Sequence, residues 1–132
     1  MSVIVTDAGF GPDDFDGPWA ALDEGGRAID LPSDTDPAAL AALPDDVEAV
    51  RIDFPSFSDG RGFTLARLLR LRGYRGRLRA RGHVIADQFA MIRRAGFDEV
   101  EISDALAARQ PEDQWLFRAN WTAHDYQARL RG

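Results

Sequence analysis

The spacing of apolar residues changes period several times between residues 36 and 110, and each change marks an element. Asp36-Pro37-Ala38 reads as a helix start, with an acid in the capping position and proline in the first helical one; Pro44 ends that helix near Leu43. Val47–Phe54 then alternates through Val47, Ala49 or Val50, Ile52 and Phe54, which predicts a buried strand. Pro55–Gly62 is a loop, and Phe63–Leu71 returns to helical spacing through Leu65, Leu68 and Leu69, with Gly73 suited to the position that closes a helix. Arg77-Leu78-Arg79-Ala80 predicts a short strand. His83–Ala95 predicts a second helix, with Val84, Ile85, Phe89 and Ile92 inward and Gly96 at its end. Glu99–Ile102 alternates as another strand, and a last helix is expected over Glu112–Arg131 with Trp115, Leu116, Ala119, Ala123, Tyr126 and Leu130 available for packing.

Two of these units are alike. Leu71-Arg72-Gly73-Tyr74 and Arg94-Ala95-Gly96-Phe97 each end a helix and introduce a strand, 23 residues apart. Repeated strand–loop–helix units give parallel strands joined by right-handed crossovers. The expected fold is therefore α/β, a small parallel sheet, half-barrel-like or open, with flanking helices in a single domain over residues 1–132. Its parts are an irregular stretch at 1–35, a βα core at 36–110 and the C-terminal helix at 112–131. Within the first part, Glu24-Gly25-Gly26 between Trp19–Leu22 and Arg27–Leu31 predicts a hairpin.

Composition narrows the chemistry. The chain has no cysteine, which excludes disulfides, thiolate catalysis, cysteine-held iron–sulfur clusters and zinc thiolate sites. The two histidines, His83 and His124, lie far apart with no ligand spacing, so no metal is expected. No apolar run approaches the ~18 residues of a membrane span, and the N-terminus lacks the pattern of a secretory signal, which makes the cytoplasm the expected compartment. The net charge of −6 is unevenly distributed: residues 1–59 carry fourteen acids against Arg27 and Arg51, whereas residues 60–86 carry eight arginines and no acid. An acidic chain whose arginine run is broken only by the aromatic Tyr74 is not expected to bind nucleic acid.

Ligands of α/β folds gather at the carboxyl ends of the strands. Three loops should share that edge, namely Pro55–Gly62, Arg81–His83 and Ser103–Ala105, presenting Asp53, Phe57, Asp59, Arg61, Arg79, Arg81, His83, Asp87, Gln88 and Ser103. In Asp59-Gly60-Arg61-Gly62 the glycines permit positive φ and close approach, and Arg61 offers a planar donor fork to an oxyanion. The same four residues also suit a tight turn in which Asp59 caps the next helix and Arg61 meets a nearby carboxylate. The motif lacks the spacing and lysine of a P-loop, and Gly9-Phe10-Gly11 lacks the third glycine of a dinucleotide fingerprint, so no cofactor is evident. Alternation places Arg75, Arg77, Arg79 and Arg81 on one strand face, to be met by the acidic N-terminal third, by an anion or by a partner. His83 and Asp87, four residues apart, share a face if both are helical, as a proton-transfer pair or as a helix-start contact. Trp121 could mark a homodimer contact.

The same residues resemble a known family. Phe54-Pro55-Ser56-Phe57-Ser58-Asp59-Gly60-Arg61-Gly62-Phe63, Ala66-Arg67-Leu68-Leu69-Arg70, Gly76-Arg77-Leu78-Arg79-Ala80, Asp87-Gln88 and Arg94-Ala95-Gly96-Phe97, in that order over about residues 47–103, are similar to the bacterial domain-of-unknown-function family 934, whose members carry the label of an oxidoreductase of sulfite reduction. The resemblance implies an accessory protein or oxidoreductase of assimilatory sulfite reduction, with sulfite reductase or another sulfur-assimilation protein as partner. Family motif positions fall on Asp59, Gly60, Arg61, Gly62, Arg79, Asp87 and Gln88. Where members more often carry an uncharged residue followed by Gly-Asp, this chain has Arg81-Gly82-His83. The expected site is anion- or partner-binding: Arg61, Arg79 and Arg81 hold the anion, Asp59 orders the loop formed by Gly60 and Gly62, and Asp87 and Gln88 orient the arginines. An interaction module for an acidic redox partner, without catalysis of its own, is the competing expectation.

Overall fold

The computed structural model describes residues 2–119. Seven strands form one open sheet: β1 (Ser2–Thr6), β2 (Gly9–Gly11), β3 (Ala20–Ala21), β4 (Ala28–Leu31), β5 (Ala49–Phe54), β6 (Arg77–Gly82) and β7 (Glu99–Ser103), in the order β2-β1-β7-β6-β5-β4-β3. Strands β3 to β7 run parallel and neighbour one another in chain order, as the repeated units require. The antiparallel pair β1–β2 extends the sheet beyond β7. Helices α1 (Arg61–Leu71), α2 (Phe89–Ala95), α3 (Asp104–Arg109) and α4 (Glu112–Arg118) complete the α/β architecture. Among the described residues no helix is long and apolar enough to cross a membrane.

One face of the sheet is apolar. The register aligns Ile29 with Val50, Val50 with Leu78, and Ala80 with Val100, so the inward residues of β4 to β7 form one continuous layer. Phe63, Leu65, Ala66 and Leu69 of α1 and Phe89 and Ile92 of α2 close over it. Gly73 and Gly96 end α1 and α2 at φ of 92° and 115°. There Gly73 N and Tyr74 N donate back to Arg70 O and Leu69 O, which satisfies the last carbonyls of α1. Helix α4, a single seven-residue segment, is fixed by Trp115, which is fully buried against Phe89 and donates from Nε1 to Gln110 O at 2.9 Å. Burial of such a ring contributes about 2–3 kcal/mol, which an isolated helix this short lacks.

Several elements differ from the sequence reading. Asp36 does cap the segment that follows, accepting from Ala38 N, but Pro37–Ala42 winds as a 3-10 helix. The expected hairpin between Trp19 and Leu31 is instead the parallel pair β3–β4. Glu24 N and Gly25 N both bond to Ala21 O, so the turn closes the end of β3, and the chain then re-enters the sheet in the same direction. Among the described residues the tight antiparallel hairpin is β1–β2. The second helix is shorter than His83–Ala95: His83 to Ile85 is loop, Ala86–Gln88 is a 3-10 turn and α2 begins at Phe89. Helix α3 was not expected, because it buries none of its residues and so carries no apolar stripe. Of the last expected helix, the part beyond α4 lies outside the described residues, as do Trp121 and His124.

Candidate functional site

The opposite face of the sheet is charged. On β5, β6 and β7 the outward positions are Arg51 and Asp53, Arg77, Arg79 and Arg81, and Glu99 and Glu101, paired across the strands as Arg51–Arg79–Glu99 and Asp53–Arg81–Glu101. Arg79 is fully buried at the centre. Its guanidinium donates to Glu99, to Glu101 at 2.8 Å and, through both Nη atoms, to Asp13 at 2.9 and 3.0 Å. Arg51 joins Asp30 at 2.6 Å to Glu101 at 3.0 Å, and Arg77 joins Glu99 to Asp14. Burial opposes the charge on Arg79, but these carboxylates outweigh it and hold the group charged. Asp13 and Asp14 belong to a strap, residues 12–19, that also lays Trp19 over Arg51 (4.4 Å) and Arg79 (5.3 Å) and Phe15 over Arg27 (5.1 Å).

This corrects the expected site. Arg77, Arg79 and Arg81 share one face of β6, whereas Arg75 lies before the strand; the strap lies over that face, so Arg79 is committed to internal carboxylates and cannot meet an anion at the strand ends. The acidic N-terminal third supplies one of its partners, Asp13, over a separation of 66 residues, and β7 supplies the other two, Glu99 and Glu101.

The other expected residues also separate. Asp59 accepts from Arg61 N at 3.0 Å and from Arg61 Nη2 at 2.7 Å, while Arg61 Nη2 reaches Ser33 Oγ at 3.0 Å. The Arg61 guanidinium, then its backbone N–H, holds the Asp59 carboxyl well below the usual carboxylate range. Asp59 therefore bonds the loop together and takes the Nε–Nη2 edge of Arg61. The hollow beside Arg61 is lined by Asp34 and Asp36, surroundings that disfavour an anion. Gly60 has an ordinary φ of −91°, and Gly62 lies inside α1, where a Cβ would come within 2.6 Å of the Phe54 ring. Gly62 thus serves helix–sheet packing, and neither glycine forms a positive-φ cradle. Asp87 pairs with Arg118 at 3.1 Å, and Gln88 donates to Phe57 O at 2.7 Å while accepting from Ile85 N. Neither orients Arg61 or Arg79. Because His83 lies in the loop before the 3-10 turn, His83 and Asp87 do not share a helix face.

What the carboxyl ends of β5, β6 and β7 do bring together is Asp53, Arg81, His83 and Ser103, around a cleft of about 390 Å³ that Arg109 of α3 completes. Arg81 is half exposed and reaches Glu101 at 3.3 Å, its only ion pair among the described residues. Asp53, His83 and Arg109 have no side-chain hydrogen bond or ion pair among the described residues. Gly82 holds the corner. Its φ is 117°, a Cβ there would lie 2.6 Å from Phe54 O and 3.4 Å from Asp53 Oδ1, and the next residue, His83, donates its N–H to Phe54 O at 2.8 Å. Ser103 caps α3 by accepting from Leu106 N at 3.1 Å, which fixes the helix that carries Arg109. Arg109 was missing from the sequence reading, since an exposed arginine at the end of an unrecognised helix carries no motif.

A family model matches residues 28–132. The chain belongs to the family described as bacterial protein of unknown function (DUF934). The DUF934 match opens at the first residue of β4 and takes in the parallel core β4–β7 and every side chain of the cleft except Ser2. No curated protein and no solved structure matches the chain.

Proposed function

We propose that the protein is a cytoplasmic accessory component of assimilatory sulfite reduction that holds a small oxyanion in the cleft of Arg81, His83 and Arg109. The observation that carries this reading is the cleft's supply of uncommitted donors at the strand ends: Arg109 and His83 are unpaired among the described residues and Arg81 is held by one long contact. Two guanidiniums and an imidazole match the planar, multiply accepting edge of an oxyanion. The pathway comes from the family resemblance. Any electron transfer would depend on a partner or bound cofactor, because the chain has no thiol.

A second reading, docking to an acidic redox partner, is favoured by the outer face of α1 and the turn after it. There Arg67, Arg72 and Arg75 are exposed and unpaired among the described residues, and Leu71 is 82% exposed. Growth of a strain lacking the gene separates the two. It is expected to grow on sulfide or cysteine but not on sulfate or sulfite, to be restored by Arg72→Glu/Arg75→Glu, and not to be restored by Arg109→Ala. The reverse pattern of restoration favours docking, and unchanged growth on all four sulfur sources sinks the pathway.

A further inference from the structure

The cleft is not simply cationic. Asp53 lines it with no hydrogen-bond or ion-pair partner among the described residues, and Glu101 contributes a second carboxylate that is already engaged by Arg51, Arg79 and Arg81. Arg81 is the register neighbour of both Asp53 and Glu101, yet its Nε turns to Glu101. One cavity of about 390 Å³ is therefore bordered by an uncompensated carboxylate, Asp53, and an uncompensated guanidinium, Arg109. A bare oxyanion satisfies Arg109 and leaves Asp53 facing like charge. A ligand with both charges satisfies both groups.

Asp53 and Arg81 also line a second hollow of about 360 Å³, on the strap side, where Trp19, Ala20 and Pro32 supply apolar surface beside the Arg51–Asp30 pair. The two hollows thus share Asp53 and Arg81, with uncompensated opposite charges around the first and, in the second, the Trp19 ring beside an arginine and an aspartate that already neutralise each other. The geometry points to a free α-amino acid with an apolar or aromatic side chain as the ligand of this groove. Its carboxylate lies on Arg109 and Arg81, its ammonium on Asp53, and its side chain towards Trp19. This inference rests on the reading of the cleft as an anion site and specifies what carries the anion.

Calorimetry on the full chain tests it, with L-leucine, L-phenylalanine, their N-acetyl derivatives and sodium sulfite as probes. At least one free amino acid is expected to bind. Acetylation of its amine should weaken it about tenfold or more, the loss that goes with a charged hydrogen bond. Asp53→Asn, checked for an unchanged thermal midpoint, should bring the free amino acid down to the level of its acetylated form without weakening sulfite, whereas Arg109→Ala should weaken every probe. Equal binding of free and acetylated forms, an Asp53→Asn variant that binds the amino acid normally, or no binding of either amino acid overturns the inference. If sulfite alone binds, and Arg109→Ala abolishes it, the oxyanion reading stands without the zwitterion. If no probe binds, the anion site itself falls.

Discussion

Replacing Arg79 with alanine is expected to destabilise the domain by about 3 kcal/mol, read as a lower denaturant midpoint at unchanged slope. The reason lies in what remains. Arg79 is fully buried among Asp13, Glu99 and Glu101, so its removal leaves the buried carboxylates of Glu99 and Glu101 without their central partner. The effect should fall at the lower end of the ~3–5 kcal/mol seen when a buried pair is broken, because Glu99 keeps Arg77 and Glu101 keeps Arg51. Arg79→Lys restores the charge but not the fork that reaches three carboxylates, and should recover only part of the loss. The strap reports the same event. Asp13 is held below its ordinary pKa, first by its hydrogen bonds from Arg79. A depressed carboxylate adds stability that is complete above its unfolded value and is lost as pH falls through the folded one. That acid-side dependence should shrink in Arg79→Ala, leaving the smaller effects of the Phe15 N–H and of Arg77, and the strap should become cleavable by protease. A loss below about 1 kcal/mol, the size of a surface pair, would show that the charged lattice does not hold the fold.

Gly82→Ala is expected to cost about 2–4 kcal/mol and to abolish ligand binding at the cleft. Two effects add. A φ of 117° strains any residue with a Cβ, and that Cβ would press to 2.6 Å on Phe54 O, a backbone atom at the end of the adjacent strand. A flexible side chain could move aside, but a paired strand cannot do so without separating β5 from β6. The same separation displaces Arg81 and His83, which flank Gly82, relative to Asp53. Thermal unfolding and sulfite titration of one variant check both parts. A stable variant that has lost binding would place the corner's role in the site alone, whereas unchanged stability and binding would remove it from both.

These expectations also show what the residues disclosed before the fold was known. Gly73 and Gly96 marked the ends of α1 and α2, and Asp36-Pro37 marked a helical start, because capping is local and each signal spans a few neighbouring residues. The carboxyl edge followed from strand–helix order, and it does gather Asp53, Arg81, His83 and Ser103. The fate of the arginines was not legible. Alternation assigns Arg77, Arg79 and Arg81 to one face but does not say which cover lies on that face. Here the cover is a strap whose acids stand more than 60 residues away. Asp59-Gly60-Arg61-Gly62 admits two readings from its residues alone, and the structure follows the tight turn, in which Arg61 pairs with Asp59 two residues away. Arg109 was hidden by its short exposed helix.

The central claim is that the anion site lies at Arg81 and Arg109, not at the glycine-bracketed loop. Titration of sulfite into the wild-type chain, Arg109→Ala and Arg61→Ala tests it most directly. Arg61→Ala should bind as the wild type does, within about twofold, while Arg109→Ala should weaken binding by about tenfold or more. Loss of binding in Arg61→Ala with retention in Arg109→Ala would return the site to the loop and contradict this account.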